Sequence, residues 1–162
     1  MPSQIEKILV PIDFSDISKR AARYAESLAR ALNATLYLVH VQPPAPRPHR
    51  FGPVTPVIDS REQSYQAARQ RLDALARRLA SETLHVISEV RTGPTAESIA
   101  QASVHYGADL VVMGTRGRTG VAHLLAGSVA ERVVRTAPCP VLLVRGSGHV
   151  RLHRADPATK VA

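Results

Sequence analysis

Residues 5–41 read IEKILVPIDFSDISKRAARYAESLARALNATLYLVHV, and the change of period inside that stretch decides the fold. Ile5 to Ile12 is a short apolar run rich in β-branched residues, as in a strand buried on both faces. From Ile17 the apolar positions recur at Ala21, Ala25, Leu28, Ala29 and Leu32, which is the spacing of one helical face. Asn33 stands where a left-handed residue ends such a helix, and Thr35 to Val41 is a second strand. Two strands joined by a helical crossover run parallel, because a crossover of a dozen or more residues is what parallel pairing requires.

Outward from this unit the alternation continues. Gln42 to Pro56 holds Pro43, Pro44, Pro46, Pro48, Pro53 and Pro56, so residues 42–60 form an irregular, proline-rich loop. Ser60-Arg-Glu-Gln63 has the form of a capping box and opens a helix with Ala68, Leu72, Leu75, Ala76 and Leu79 on one face. Leu84 to Val90 is the third strand, Gly93-Pro94-Thr95 starts a helix that Gly107 ends, and Asp109 to Met113 is the fourth strand. Ser128 to Thr136 is a short helix, and Pro138-Cys139-Pro140 introduces the fifth strand, Val141 to Val144. The pattern predicts an α/β fold: an open five-stranded parallel sheet with helices on both faces, strand order 3-2-1-4-5, in one domain over 1–146. Residues 147–162 read as a basic, flexible tail.

Composition narrows the function. The chain has 162 residues, 44% of them apolar and 21% charged, which excludes wholesale disorder and fibrous architecture. A single Cys139 cannot form an intramolecular disulfide, and Glu6 and Lys7 fall where a secretory signal has its apolar core, so the expected compartment is a reducing cytoplasm. No apolar run approaches the ~18–20 residues of a membrane span. The net charge of +8 comes almost wholly from arginine and is spread over loops, helix surfaces and tail without interleaved aromatic residues. That distribution speaks against a nucleic-acid surface.

In an open parallel sheet, ligands bind at the carboxyl ends of the strands beside the point where strand order reverses. The fourth strand ends in Met113-Gly-Thr-Arg-Gly-Arg-Thr-Gly120 and runs on to Gly127-Ser128 at the start of a helix. Glycines let backbone amides approach an anion, and a helix start presents unpaired N–H groups and a favourable dipole, an arrangement suited to a polyphosphate. The P-loop lysine is absent, so anion binding rests on the amides of Gly127, Ser128 and Val129 with Arg116 or Arg118. Ser128-Val-Ala-Glu131 also has capping-box form, so its hydroxyl serves either the helix or a ligand. At the first strand end, Pro11-Ile12-Asp13 offers one carboxylate that either accepts from ribose hydroxyls or caps the first helix. At the second, Val41 offers backbone groups to an adenine edge, whereas His40 reads as a packed strand residue with no catalytic partner. No catalytic set and no metal-ligand spacing stands out.

The core from Lys7-Ile-Leu-Val-Pro-Ile-Asp13 to Ala137-Pro-Cys-Pro-Val-Leu-Leu-Val144 resembles the universal stress protein (UspA) family, and the Met113–Gly120 and Gly127–Glu131 stretches are similar to its ATP-binding signature. The resemblance implies a Rossmann-like fold of the adenine nucleotide alpha hydrolase type and membership of the family's ATP-binding branch. It implies a nucleoside pocket with Pro11, Ile12, Asp13 and Val41, a phosphate loop of Met113, Gly114, Arg116 and Gly117, and phosphates held at Gly127, Ser128 and Val129. ATP with Mg²⁺ carried on its phosphates, a nucleotide-dependent regulatory or stress-response role, and an unidentified protein partner follow as expectations. The alternative is a slow ATPase or a nucleotidyl or phosphoryl transferase using the same pocket. The resemblance also implies a homodimer through the strand at 141–144, whose bare apolar edge would otherwise invite uncontrolled pairing.

Overall fold

The computed structural model describes residues 4–44, 57–115, 127–145 and 150–154. In chain order the elements are β1 (Lys7–Pro11), α1 (Asp16–Leu32), β2 (Thr35–Gln42), α2 (Val57–Leu79), β3 (Val86–Thr92), α3 (Thr95–Tyr106), β4 (Leu110–Gly114), α4 (Ser128–Thr136), β5 (Val141–Val144) and β6 (Val150–His153). They build one sheet in the order β3-β2-β1-β4-β5-β6. The first five strands are parallel in the expected order, with Ile8 opposite Leu36 on one side and Leu110 on the other. Strand order therefore reverses between β1 and β4, and the crevice for a ligand opens above those two strand ends.

The helices divide the core in two. On one face the alanines of α1, Ala21, Ala22, Ala25 and Ala29, pack against Ile8, Val10, Leu36 and Leu38, and α2 adds Leu72. On the other face α3 and α4 bring Ile99, Ala102, Ala130 and Val133 against Leu9, Val39, Val111 and Met113. Leu36, Leu38, Leu72 and Ile99 are fully buried, each contributing about 1.5–3 kcal/mol relative to exposure. Helix ends follow local chemistry. Asn33 (φ 54°) and Gly107 (φ 61°) end α1 and α3 in the left-handed region, the conformation both residue types tolerate.

Three expectations need correction. The sheet has a sixth strand: Val150–His153, read from sequence as frayed tail, pairs antiparallel with β5 over its whole length. The edge at 141–144 is consequently covered by the chain itself, which removes the bare edge that motivated a dimer there. Helix α2 begins at Val57, so Ser60 lies inside it and does not cap it. Strand β3 starts at Val86 because Ser81 and Leu84 are tied to each other by a pair of backbone hydrogen bonds of 3.2 Å, which makes that segment a turn.

Candidate functional site

A cavity of about 360 Å³ opens where β1, β2 and β4 end and α4 begins. Pro11, Ile12, Asp13, Val41, Met113, Gly114, Gly127, Ser128 and Val129 line it, so residues from four separate stretches of sequence share one space. Arg116 and Gly117, with Arg118, lie outside the described residues. The volume falls within the ~300–1,000 Å³ of ordinary small-ligand sites.

The floor of the cavity is set by backbone hydrogen bonds. The Ile12 amide donates to the Val39 carbonyl at 2.8 Å, holding the exit of β1 against β2. Phe14 then turns the chain with φ 65°, an unusual conformation for an aromatic residue that costs of order 1–2 kcal/mol. Its ring is fixed between the Arg71 guanidinium, 4.1 Å from the ring centre, and His40, 4.7 Å away. His40 Nδ1 lies 2.7 Å from the Ile12 carbonyl, so the imidazole donates there and braces the same turn. A residue that reads as a packed strand histidine is thus both a brace and part of the cavity wall.

Asp13 and the start of α1 separate two roles that sequence left open. Ser15 is the N-cap, its Oγ accepting from the Ser18 amide at 3.2 Å. Asp13 stands one step earlier and accepts from the Ser15 amide through Oδ1 at 2.9 Å, while lining the cavity. The carboxylate is therefore oriented by the turn without serving as the helix cap.

The start of α4 resolves in the same way. Gly127 is the N-cap, in extended backbone with φ −65°, and its carbonyl accepts from the Glu131 amide at 3.0 Å. Ser128 is consequently the first helical residue and its hydroxyl does not close a capping box. The Gly127 amide is engaged, donating to the Thr115 carbonyl at 2.6 Å. The amides without an intrahelical acceptor are those of Ser128, Val129 and Ala130, one residue further on than the sequence suggested, and all three residues line the cavity. Their dipoles favour negative charge.

Gly114 has a different reason to be glycine. A Cβ there would lie 2.5 Å from Ile17 Cγ2 and 3.4 Å from the Ile17 carbonyl carbon. The first turn of α1 crosses the end of β4 so closely that only a hydrogen fits, whatever occupies the cavity.

Several wall residues escaped the sequence reading. Thr95 and Ile99 come from α3, and Thr115, 4% exposed, donates its amide to the Val144 carbonyl at 3.1 Å. Thr95 directly follows Gly93-Pro94 at the end of β3, a signal of the same kind as those at β1 and β4. Among the described residues no group of three His, Cys, Asp or Glu side chains could hold a metal ion, and no helix is long and apolar enough to cross a membrane.

Away from the cavity, Glu89 accepts from Tyr106 Oη at 2.7 Å and from Arg91 Nε at 2.9 Å. Burial opposes ionisation of Glu89, but these two donors outweigh it and hold its carboxyl below the usual range. Burial, together with the hydrogen bond to Glu89, pushes the Tyr106 phenol up to about 12. Burial likewise raises the Cys139 thiol to about 11, which makes it an unreactive core residue.

The universal stress protein family model matches residues 4–145. A universal stress protein from Thermus aquaticus is 38% identical over 144 residues, covering 85% of this chain and 97% of its own length. One from Methanocaldococcus jannaschii is 34% identical over 143 residues, covering 86% and 82%. Among solved structures, universal stress protein UspA from Lactobacillus plantarum superposes with a TM-score of 0.69 at 25% identity, covering 88% of this chain and 99% of that one. A universal stress protein in complex with cAMP superposes with a TM-score of 0.62 at 26% identity, covering 88% and 98%. The family model and these relatives agree, and the chain belongs to the universal stress protein family.

Proposed function

We propose that this protein binds an adenine nucleotide, with ATP as the ligand, and acts as a nucleotide-dependent regulatory module. One observation carries the reading: Ser128, Val129 and Ala130, whose amides begin α4 and have no intrahelical acceptor, line the same cavity as Asp13 and Val41. In this reading the phosphates sit on the first turn of α4, Asp13 accepts from the ribose hydroxyls, and Val41 meets the adenine. Arg116 and Gly117 complete the phosphate loop. Mg²⁺ is carried by the phosphates, consistent with a cavity whose described lining holds one carboxylate, Asp13. A family relative was solved with cAMP, a ligand of the same chemical class.

The same lining argues for a regulator over an ATPase or transferase. Phosphoryl transfer needs a positioned nucleophile and charge stabilisation at the transferred group. The candidate bases among the described lining residues are Asp13 and His40, and both are engaged in bracing the turn after β1, Asp13 by accepting from the Ser15 amide and His40 through Nδ1 at the Ile12 carbonyl. A cytoplasmic setting fits the buried, unpaired Cys139. A homodimer through Val141–Val144 belongs to this reading only in a form where β6 has left that edge.

Isothermal titration with MgATP tests the proposal, and the absence of heat with folded protein overturns it. The informative variant is Gly127→Asp. Aspartate is a preferred N-cap and the backbone there suits any residue, so the fold is expected to persist while the carboxylate repels phosphate. Affinity should fall at least tenfold with the melting temperature unchanged or raised.

A further inference from the structure

A second cavity, of about 140 Å³, lies on the α4 side of the sheet, between that helix and the pair β5 and β6. Leu143, buried on β5, and Val134, half-buried on α4, give it an apolar base, whereas Arg145, Arg151 and His153 make the rest of its wall basic. Thr115 lines this cavity and the larger one alike, so the two are neighbours with a shared wall.

The register of the ladder brings the basic groups together. Arg151 stands opposite Leu143 and His153 opposite Val141, and both partners belong to the core layer under α3 and α4. Directly opposite residues share a face of the sheet, as do residues two apart along a strand. Arg151 and His153 therefore project to the α4 side, while Leu152, between them, is turned away and 59% exposed. Arg145 follows β5 two residues after Leu143 and lines the same side, diagonal to Arg151 across the ladder.

Like charges held this close on one face repel unless an anion lies between them. The described residues supply none. Glu131 is the one acid of the described lining, and Arg135 engages it at 2.9 Å. Neither Arg145, Arg151 nor His153 makes a hydrogen bond or ion pair with a described residue. Each guanidinium carries a planar fork of N–H donors that matches the oxygens of a phosphate, and it keeps its charge at any pH the fold meets. The volume is under half of the ~300 Å³ at which ordinary small-molecule sites begin, so it suits one phosphate-sized group and is too small to enclose a nucleoside.

We infer that the cavity between α4 and the β5–β6 ladder is a second oxyanion site, in which Arg145 and Arg151 hold a phosphate group, either free or carried as a monoester. It is separate from the cavity at the reversal of strand order and does not depend on a nucleotide being bound there. An anion seated in it bridges the end of β5 to β6.

The test is a titration of full-length, isotope-labelled protein with inorganic phosphate and, separately, with phosphoserine, followed through the backbone amide resonances. Chloride keeps the ionic strength constant, so that general screening does not vary. Saturable shifts are expected at the amides of Arg145, Arg151 and His153 with at least one probe, and the tighter probe tells whether the site takes free or carried phosphate. In Arg145→Gln/Arg151→Gln the affinity should fall at least tenfold. Arg77→Gln/Arg78→Gln removes the same charge from the exposed last turn of α2 and should leave the affinity unchanged. Three results overturn the inference: no saturable shift with either probe, shifts confined to Ser128, Val129 and Ala130, or an equal loss in both double variants. The shift map is read on the wild type and decides the matter should the Arg145→Gln/Arg151→Gln variant not fold.

Discussion

At the scale of single residues, glycine and serine at the two loop ends do different work from what their motif suggests. Gly114 belongs to a pattern associated with phosphate, yet its missing Cβ is accounted for by Ile17 at 2.5 Å. Gly114→Ala must push a β-branched side chain or shift the first turn of α1, and overpacking of this kind costs about 1–3 kcal/mol. Thermal or urea unfolding of the ligand-free protein should show that loss, which a purely ligand-contacting glycine would not produce. Ser128 illustrates the reverse. Its capping-box spacing is real in sequence, but the helix starts one residue too early for the hydroxyl to cap, because Gly127 already serves as the cap. Residue types and spacing thus picked out residues that line one cavity, whereas the division of labour among Gly114, Gly127, Ser128 and Asp13 depends on helix boundaries that short patterns do not define.

At the scale of elements, the Tyr106–Glu89–Arg91 group ties the end of α3 to the edge strand β3. The phenol is neutral when it donates to the carboxylate, and its value of about 12 lies above the ~10 of an unfolded tyrosine. The contribution is therefore fully present below about pH 10 and is lost as pH rises toward 12, since the folded state holds the proton longer. Unfolding free energies of wild type and Tyr106→Phe should converge across that window, with the wild type losing more. Most elements were legible because a buried parallel strand and an amphipathic helix have distinct periods; α1 runs from Asp16 to Leu32, ending at Asn33 as its sequence implies. β6 was not. Its four residues alternate Val, Arg, Leu and His between short polar stretches, too brief a period-2 signal to stand apart from a basic tail, and its stability comes from the β5 ladder and not from its own pattern.

At the scale of the whole molecule, the central strands and the cavity are one structure: the reversal of strand order between β1 and β4 that organises the core also creates the opening. A nucleotide bound there touches the ends of three strands and a helix, so binding should stabilise the entire domain. At a free concentration of ~100 times the dissociation constant, one site adds about 2.7 kcal/mol. For a chain of this length that is a rise of roughly 5–10 °C in melting temperature, measurable by scanning calorimetry with MgATP and expected to vanish in Gly127→Asp. The hydrogen bond from Gly127 to the Thr115 carbonyl has a further meaning at this scale. It ties the residue after β4 to the residue before α4 at 2.6 Å, so two walls of the cavity are joined by a backbone bond. That single bond works as a hasp: the strand that ends at the reversal of sheet order and the helix that begins beside it keep one spacing at the mouth of the cavity.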